Sequence, residues 1–368
     1  MPLDPDVTPG VAVVELSVVV PSFNERDNVE PLIARLAACL EGVAWEVIYV
    51  DDDSPDGTAA AVKAIARRDP RVRCLHRIGR RGLSTAVIEG IQASSAPHIA
   101  VIDADLQHDE TLLPRMLEAL KSEGLDIVVG SRYAAGGDVG DWDSNRVAMS
   151  GLATALARLV VSAQLTDPMS GFFAMTRPAF DGAVRRLSGQ GFKILLDLFA
   201  SSPTPYRFKE LPYSFRPRVH GESKLDTLVA WEYLMLLFDK LFGRFLPTRF
   251  VLFGAVGATG VLVHLATLRL MLTEFSFPEA QATATIVAMT SNFALNNLLT
   301  YRDKRLRGVR FITGLASFYA VCAIGAVANV GIASAAFERH YSWWLAGLAG
   351  AAVGVVWNYA VSSVFTWR

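Results

Sequence analysis

From Leu16 onward, uninterrupted apolar runs take turns with stretches of helical periodicity. The runs LSVVVPSF (16–23), WEVIYVDDD (45–53), VRCLHR (72–77), HIAVIDAD (98–105) and LDIVVGSR (125–132) mostly lack a polar alternate face. Strands of that kind are buried on both sides. Between them, 28–40, 57–68, 83–94 and 111–121 space their apolar residues as helices do, and 144–162 continues the pattern. Strand and helix in alternation predict an α/β domain, a mostly parallel sheet with helices on both faces. Ligands on such sheets bind at the carboxyl ends of the strands.

The pattern changes near residue 227. Trp231, Tyr233, Leu234, Leu236, Leu237, Phe238, Leu241 and Phe242 are interleaved with Glu232, Asp239, Lys240 and Arg244. This predicts amphipathic helices at a bilayer surface over 227–247, the alternative being a helix packed on the preceding domain. Long apolar segments follow at 249–272, 278–301, 310–337 and 342–367, each able to cross a hydrocarbon core of about 30 Å. His264 and Arg269 are polar exceptions within the first. The expected result is an all-α transmembrane domain of four helices over 248–368, behind a tail (1–14) and an α/β domain (15–226).

This second half contains a repeat. SNFALNNLLTYR (291–302) aligns with WNYAVSSVFTWR (357–368), pairing Asn292 with Asn358, Thr300 with Thr366 and Arg302 with Arg368. Arg249-Phe250 and Arg310-Phe311 open the preceding helices alike, so two related hairpins are expected. Gly254, Gly257, Gly260, Gly347, Gly350 and Gly354 would permit close helix packing, and Asn292, Asn296, Asn297 and Asn358 would bond between helices. The connection 302–310 is strongly basic, whereas those near 274–279 and 338–340 are not. The positive-inside rule puts that connection, the α/β domain and Arg368 on the cytoplasmic side, which an even number of spans allows.

Composition narrows the function. A net charge of −1 over 368 residues gives no general attraction to nucleic acid. The three cysteines, Cys39, Cys74 and Cys322, form no ligand spacing. The opening MPLDPDVTPG has neither a basic start nor an apolar core, so it reads as a disordered tail, not a secretory signal, and a cytoplasmic α/β domain is expected.

Polar residues collect where the strands end: Pro21-Ser-Phe-Asn-Glu25, Asp51-Asp-Asp-Ser-Pro-Asp-Gly57, Asp103 with Asp105, and Gly130-Ser-Arg132. Any one cluster could be a helix cap, and Asp56-Gly57 reads as one. Capping alone explains the whole set poorly. Two carboxylates two residues apart at a strand end can face one hard cation. No GxGxxG follows the first strand and no Walker-A loop is present, which disfavours a dinucleotide site. His108 and His220 remain unassigned.

PSFNE, VDDDSPDGT, IDADLQHDE, GSRY, DPMSGFFA, GFKILLDL and HGESKL stand in this order between Leu16 and Leu225. Together they resemble dolichyl-phosphate mannose synthases, inverting glycosyltransferases of the GT-A fold. The resemblance implies that Pro21, Phe23, Glu25, Val50 and Asp52 contact the donor's base and ribose. Phe23 stands where the family usually has Tyr, which keeps stacking and loses a phenolic hydrogen bond. It implies Asp103, Asp105 and Gln107 as the Mg²⁺ or Mn²⁺ and diphosphate set, with Ala104 among the donor-binding residues. Arg132, Arg146 and Ser150 would take the acceptor phosphate. Arg132, Arg218 and Lys224 would reach the donor, the last two from a closing loop. Asp105, Arg132 and Arg146 are the implied catalytic set. The membrane half resembles GtrA-like four-helix domains.

The implied reaction moves mannose from GDP-mannose to a polyprenyl phosphate at the cytoplasmic membrane face, with inversion. A polyprenyl phosphate is mostly dianionic at neutral pH, its second pKa being about 6, so it needs no general base. Its difficulty is repulsion by the donor, about 3 kcal/mol per unit charge pair at roughly 6 Å and an effective dielectric of about 20. Transfer of glucose from UDP-glucose to undecaprenyl phosphate remains an alternative, and so does a lipid-sugar flippase or scaffold. A processive polysaccharide synthase is disfavoured because no QxxRW segment occurs.

Overall fold

The computed structural model describes residues 13–140, 144–161, 163–189, 191–217, 227–243, 247–339 and 343–367. The chain divides into two compact units, Met1–Leu241 and Phe242–Arg368.

The first unit is a seven-stranded sheet in the order β3-β2-β1-β4-β6-β5-β7. Its strands are β1 (Leu16–Ser22), β2 (Trp45–Asp51), β3 (Val72–His76), β4 (His98–Val101), β5 (Ile127–Ser131), β6 (Phe173–Thr176) and β7 (Phe208–Pro212). β1, β2 and β5 are buried at every position, as their unbroken apolar runs require. The pleat sends Val18 and Val20 of β1 into one core and Val19 into another on the opposite face. The first core is covered by α1 (Arg26–Cys39), α2 (Thr58–Ala66) and α4 (Leu113–Ser122). The second is covered by α3 (Leu83–Gln92), α5 (Ser144–Ala157), α6 (Arg177–Ala183), α7 (Ile194–Ser201) and α8 (Thr227–Phe242).

The expected mostly parallel α/β sheet is therefore present, with two strands that the apolar pattern does not reveal. β6 is four residues long and runs antiparallel between β4 and β5. β7 pairs parallel with β5 at the sheet edge, is only partly buried and ends in Pro212, as edge strands tolerate. The insertion of β6 separates β4 from β5.

α8 covers much of the segment expected at a bilayer surface. Tyr233, Leu236 and Leu237 are buried in the second core. The Tyr233 hydroxyl donates to the Ala153 carbonyl at 2.6 Å, and Lys240 Nζ lies 2.5 Å from the fully buried Asp197 carboxylate. Leu234, Leu241 and Phe242 remain exposed.

The second unit contains α9 (Thr248–Met271), α10 (Phe277–Leu295), α11 (Val309–Glu338) and α12 (Trp343–Phe365). Among the described residues, Thr248–Met271 and Val309–Ala328 are long and apolar enough to cross a membrane. α10 passes into a π-helical turn, Asn296–Thr300. The repeat has a structural counterpart. Tyr301 N–H reaches the Asn296 carbonyl at 2.8 Å, and Trp367 N–H reaches the Ser362 carbonyl at 3.0 Å, both spanning five residues. The rings of these repeat mates, Tyr301 and Trp367, stack at 4.2 Å and 6°. A Cβ on Gly260 would strike the Asn292 amide, and one on Gly325 the Asn358 amide. Each hairpin thus sets one glycine directly against an asparagine amide. Gly254 and Gly257, expected at close crossings, have no neighbour within 4 Å of a Cβ; Gly325, not anticipated, does.

Candidate active site

The ends of β1 and β2 are tied to each other. Asn24, in the left-handed region at φ 57°, donates its N–H to Ser54 Oγ at 2.9 Å, and Glu25 N–H donates to Thr58 Oγ1 at 3.0 Å. Asp56 accepts from Thr58 N–H at 2.9 Å and from Arg26 N–H at 3.1 Å. It therefore serves the start of α1 as well as that of α2, more than the local cap expected of it. Pro21 pairs in register with Val50, whose buried side chain lies against α3. Glu25 accepts from Asn28 Nδ2 at 2.8 Å.

Asp52 is buried and holds the next loop. Its carboxylate accepts from Arg77 Nη1 at 2.6 Å and from Gly82 N–H at 2.7 Å. Burial pushes the Asp52 carboxyl above its ordinary value, although Gly82 and Arg77 pull the other way. The loop so held carries Arg81, whose guanidinium lies 4.1 Å from the centroid of the Phe23 ring. Neither Arg77 nor Arg81 stood out in the sequence.

At the end of β4, Asp103 is about one-third exposed. Its Oδ2 lies 3.1 Å from His108 Nε2, and His108 Nδ1 lies 2.7 Å from the Tyr213 hydroxyl. The Asp103 carboxylate can only accept, so His108 Nε2 carries a proton facing it, and the Tyr213 hydroxyl bonds the other ring nitrogen. The His108 ring is enclosed by Phe172, Tyr213 and Phe215, with centroids 5.3–5.6 Å away. Burial alone would raise the Asp103 carboxyl; the His108 hydrogen bond and the charges of Lys193 and Arg132 outweigh it and hold the group below its ordinary value. Ala104 is buried, and Leu106 takes the left-handed region at φ 63°. That turn lets Gln107 N–H reach Asp105 Oδ1 at 3.2 Å, while Gln107 Nε2 donates to the Arg216 carbonyl at 3.0 Å.

The antiparallel strand completes this tip. β6 pairs Phe173 with Val101, and continuing that register by two residues sets Gly171 opposite Asp103. A Cβ on Gly171 would lie 2.7 Å from Asp103 Oδ2. The carboxylate therefore rests on bare backbone.

The oxygen donors of Asp103, Asp105 and Gln107 suit a hard cation. Among the described residues no group of three or more His, Cys, Asp or Glu side chains could enclose a metal. This donor set fits Mg²⁺ or Mn²⁺ held by one or two carboxylates together with substrate phosphates, the usual arrangement for the smaller ion. Lys193, whose charge acts on Asp103, was not identified from the sequence.

Arg132 leaves β5 and forks onto Asp167, Nε to Oδ2 at 2.7 Å and Nη2 to Oδ1 at 2.8 Å. Asp167 is fully buried, and its N–H donates to Glu210 at 3.1 Å. Burial opposes the Arg132 charge, but the Asp167 pair keeps it protonated. Through this fork Arg132 is tied to the loop that carries Gly171. Ser150 accepts from the Tyr133 hydroxyl at 2.8 Å, which brings α5 to the residue after Arg132. Arg146 lies one turn earlier on α5, but its side chain is outside the described residues, as are Arg218 and Lys224. Arg216, at the start of that closing segment, pairs with Asp109 at 2.7 Å and Glu110 at 2.6 Å.

Residues 17–182 match the family described as Glycosyl transferase family 2, and residues 252–367 match GtrA/DPMS, transmembrane domain. The dolichol-phosphate mannosyltransferase of Pyrococcus furiosus is 33% identical over 357 residues, covering 96% of this chain and 99% of its own. That of Mycosarcoma maydis is 39% identical over 246 residues, 64% of this chain and 83% of its own. That of Saccharomyces cerevisiae is 36% identical over 249 residues, 65% and 92%.

Proposed function

Because the chain belongs to the dolichol-phosphate mannosyltransferase family, a glycosyltransferase unit followed by membrane helices, we propose that it transfers mannose from GDP-mannose to a polyprenyl phosphate, with inversion and with a divalent cation. The observation that carries the proposal is the carboxylate of Asp103, two residues from Asp105, lying on Gly171 at the tip of β4.

Asp103, Asp105 and Gln107 would hold Mg²⁺ or Mn²⁺, which when bound supplies positive charge to the donor's diphosphate. His108 orients Asp103 through Nε2 and is itself oriented by Tyr213. Phe23 offers a ring face to the base, and Glu25 a carboxylate to the polar groups of the nucleoside. The acceptor phosphate is its own nucleophile, so no side chain has to take a proton. What the protein must offset is the repulsion between the two anions. Arg132 is paired with Asp167. The cationic side chains whose charge acts on Asp103 are Lys193 and Arg132. Arg146, Arg218 and Lys224 are the further cations assigned to donor and acceptor.

The basic stretch Arg302-Asp-Lys-Arg-Leu-Arg-Gly-Val-Arg310 supports a cytoplasmic catalytic unit on a multi-pass protein. The test is a donor panel with the full chain in vesicles containing polyprenyl phosphate. Mannosyl lipid should form from GDP-mannose, should stop in excess chelator, and should need the lipid. Consumption of sugar nucleotide at the same rate with chelator, or without lipid, would overturn the reading. Preferential use of UDP-glucose would move it to the alternative donor.

A further inference from the structure

The connection between α10 and α11 holds Arg302, Lys304, Arg305, Arg307 and Arg310 against a single acid, Asp303. A basic connection on the cytoplasmic side serves as a topology signal through charge alone, and needs no defined shape. This one has a defined shape. The Asn297 side chain binds both backbone polar groups of Leu306, donating from Nδ2 to its carbonyl at 3.1 Å and accepting from its N–H at 2.8 Å. Trp367 Nε1 adds a third bond to Asn297 Oδ1, at 3.2 Å. Leu306 turns inward onto the aromatic cluster of Phe253, Phe293, Tyr301, Phe318 and Trp367. Gly308, in the left-handed region at φ 56°, then redirects the chain into α11.

With Leu306 anchored inward, the cations on either side are exposed: Lys304, Arg305, Arg307 and Arg310. Among the described residues no carboxylate pairs with Arg305, Arg307 or Arg310. Arg310 also sits in the first turn of α11, where the helix dipole disfavours a cation. Among the described residues this ordered cluster of like charges has no counter-charge. The neighbouring side chains indicate where that charge comes from. Val309 is 77% exposed and Ile312 68%, directly beside the cations. Cations next to bare aliphatic side chains match the profile of a bilayer boundary, phosphates at one level and acyl chains below.

We propose that residues 304–310 form a docking surface for anionic phospholipid headgroups, in which Arg305, Arg307 and Arg310 meet lipid phosphates while Val309 and Ile312 lie against the acyl region. This goes beyond the glycosyltransferase reading and does not depend on it, because none of these residues belongs to the catalytic unit.

The test compares the full chain with two triple variants at exposed positions, Arg305→Gln/Arg307→Gln/Arg310→Gln and the charge-preserving Lys set. Each is purified in detergent and titrated with phosphatidylglycerol or phosphatidylcholine, and retained lipid is read by native mass spectrometry. The wild-type chain should retain phosphatidylglycerol preferentially. The Gln triple should bind it about a hundredfold more weakly, roughly a factor of five for each cation removed. The Lys triple should keep most of the binding, and millimolar inorganic phosphate should not compete. Equal retention of the two lipids by the wild-type chain, undiminished binding in the Gln triple, loss in the Lys triple, or displacement by inorganic phosphate would each overturn the proposal.

Discussion

Gly171→Ala tests the architecture of the tip most directly. Gly171 is not in the left-handed region, so alanine meets no backbone obstacle, and the effect is steric. The new Cβ would stand 2.7 Å from Asp103 Oδ2 and 3.1 Å from Cγ and Oδ1, where ordinary contact begins near 3.4 Å. The carboxylate must then retreat by about 0.7 Å, while β4 and β6 hold the backbone on both sides. A displacement of about 1 Å in a reacting constellation costs on the order of a hundredfold, so kcat should fall roughly ten- to a hundredfold. The same retreat lengthens the Asp103–His108 contact, so Mn²⁺ affinity, measured by electron paramagnetic resonance with donor nucleotide present, should fall too. Thermal unfolding should change little. Wild-type kcat together with wild-type Mn²⁺ affinity would show that Asp103 is not the group on which transfer depends.

Three other substitutions probe separate links. His108→Phe keeps the aromatic packing but removes the bonds to Asp103 and Tyr213; cation affinity should drop by about ten- to a hundredfold, and unchanged affinity would remove the orienting role. Arg132→Lys retains the charge but loses the fork onto Asp167, so the loop carrying Gly171 should loosen and kcat should fall with every acceptor. If only the KM for the lipid rises, Arg132 acts as a phosphate ligand instead. Lys240→Met leaves the fully buried Asp197 with hydrogen bonds from Ser188 and Ser201 but no countercharge. It should destabilise the catalytic unit by about 3 kcal/mol, read by denaturant unfolding, and a loss below about 1 kcal/mol would mean that packing of Tyr233, Leu236 and Leu237 alone holds α8.

The parts of the fold legible in the sequence are those with a local signature. β1, β2 and β5 announce themselves because burial on both faces forbids polar positions. Asp103 and Asp105 announce themselves because two acids rarely end a buried strand without a purpose. β6 does not: FAMT is too short to show a period, and its antiparallel direction follows from where the chain re-enters the sheet. The tip's support is equally hidden. Gly171 lies far along the chain from Asp103 and meets it through β6, and the charge of Lys193, the residue before α7, acts on the same carboxylate. Arg132 shows the converse. The family resemblance implies a phosphate ligand, and the fold adds that two of its donors are held by Asp167.

The stacked Tyr301 and Trp367 imply a local dyad running between two halves of one polypeptide. Each half ends its helix on the same five-residue turn and contributes one ring, so each ring covers the face that the other leaves bare. Cutting the chain between α10 and α11 would therefore yield two fragments, neither able to bury its aromatic terminus unaided. Co-expressed, they would have reason to find each other.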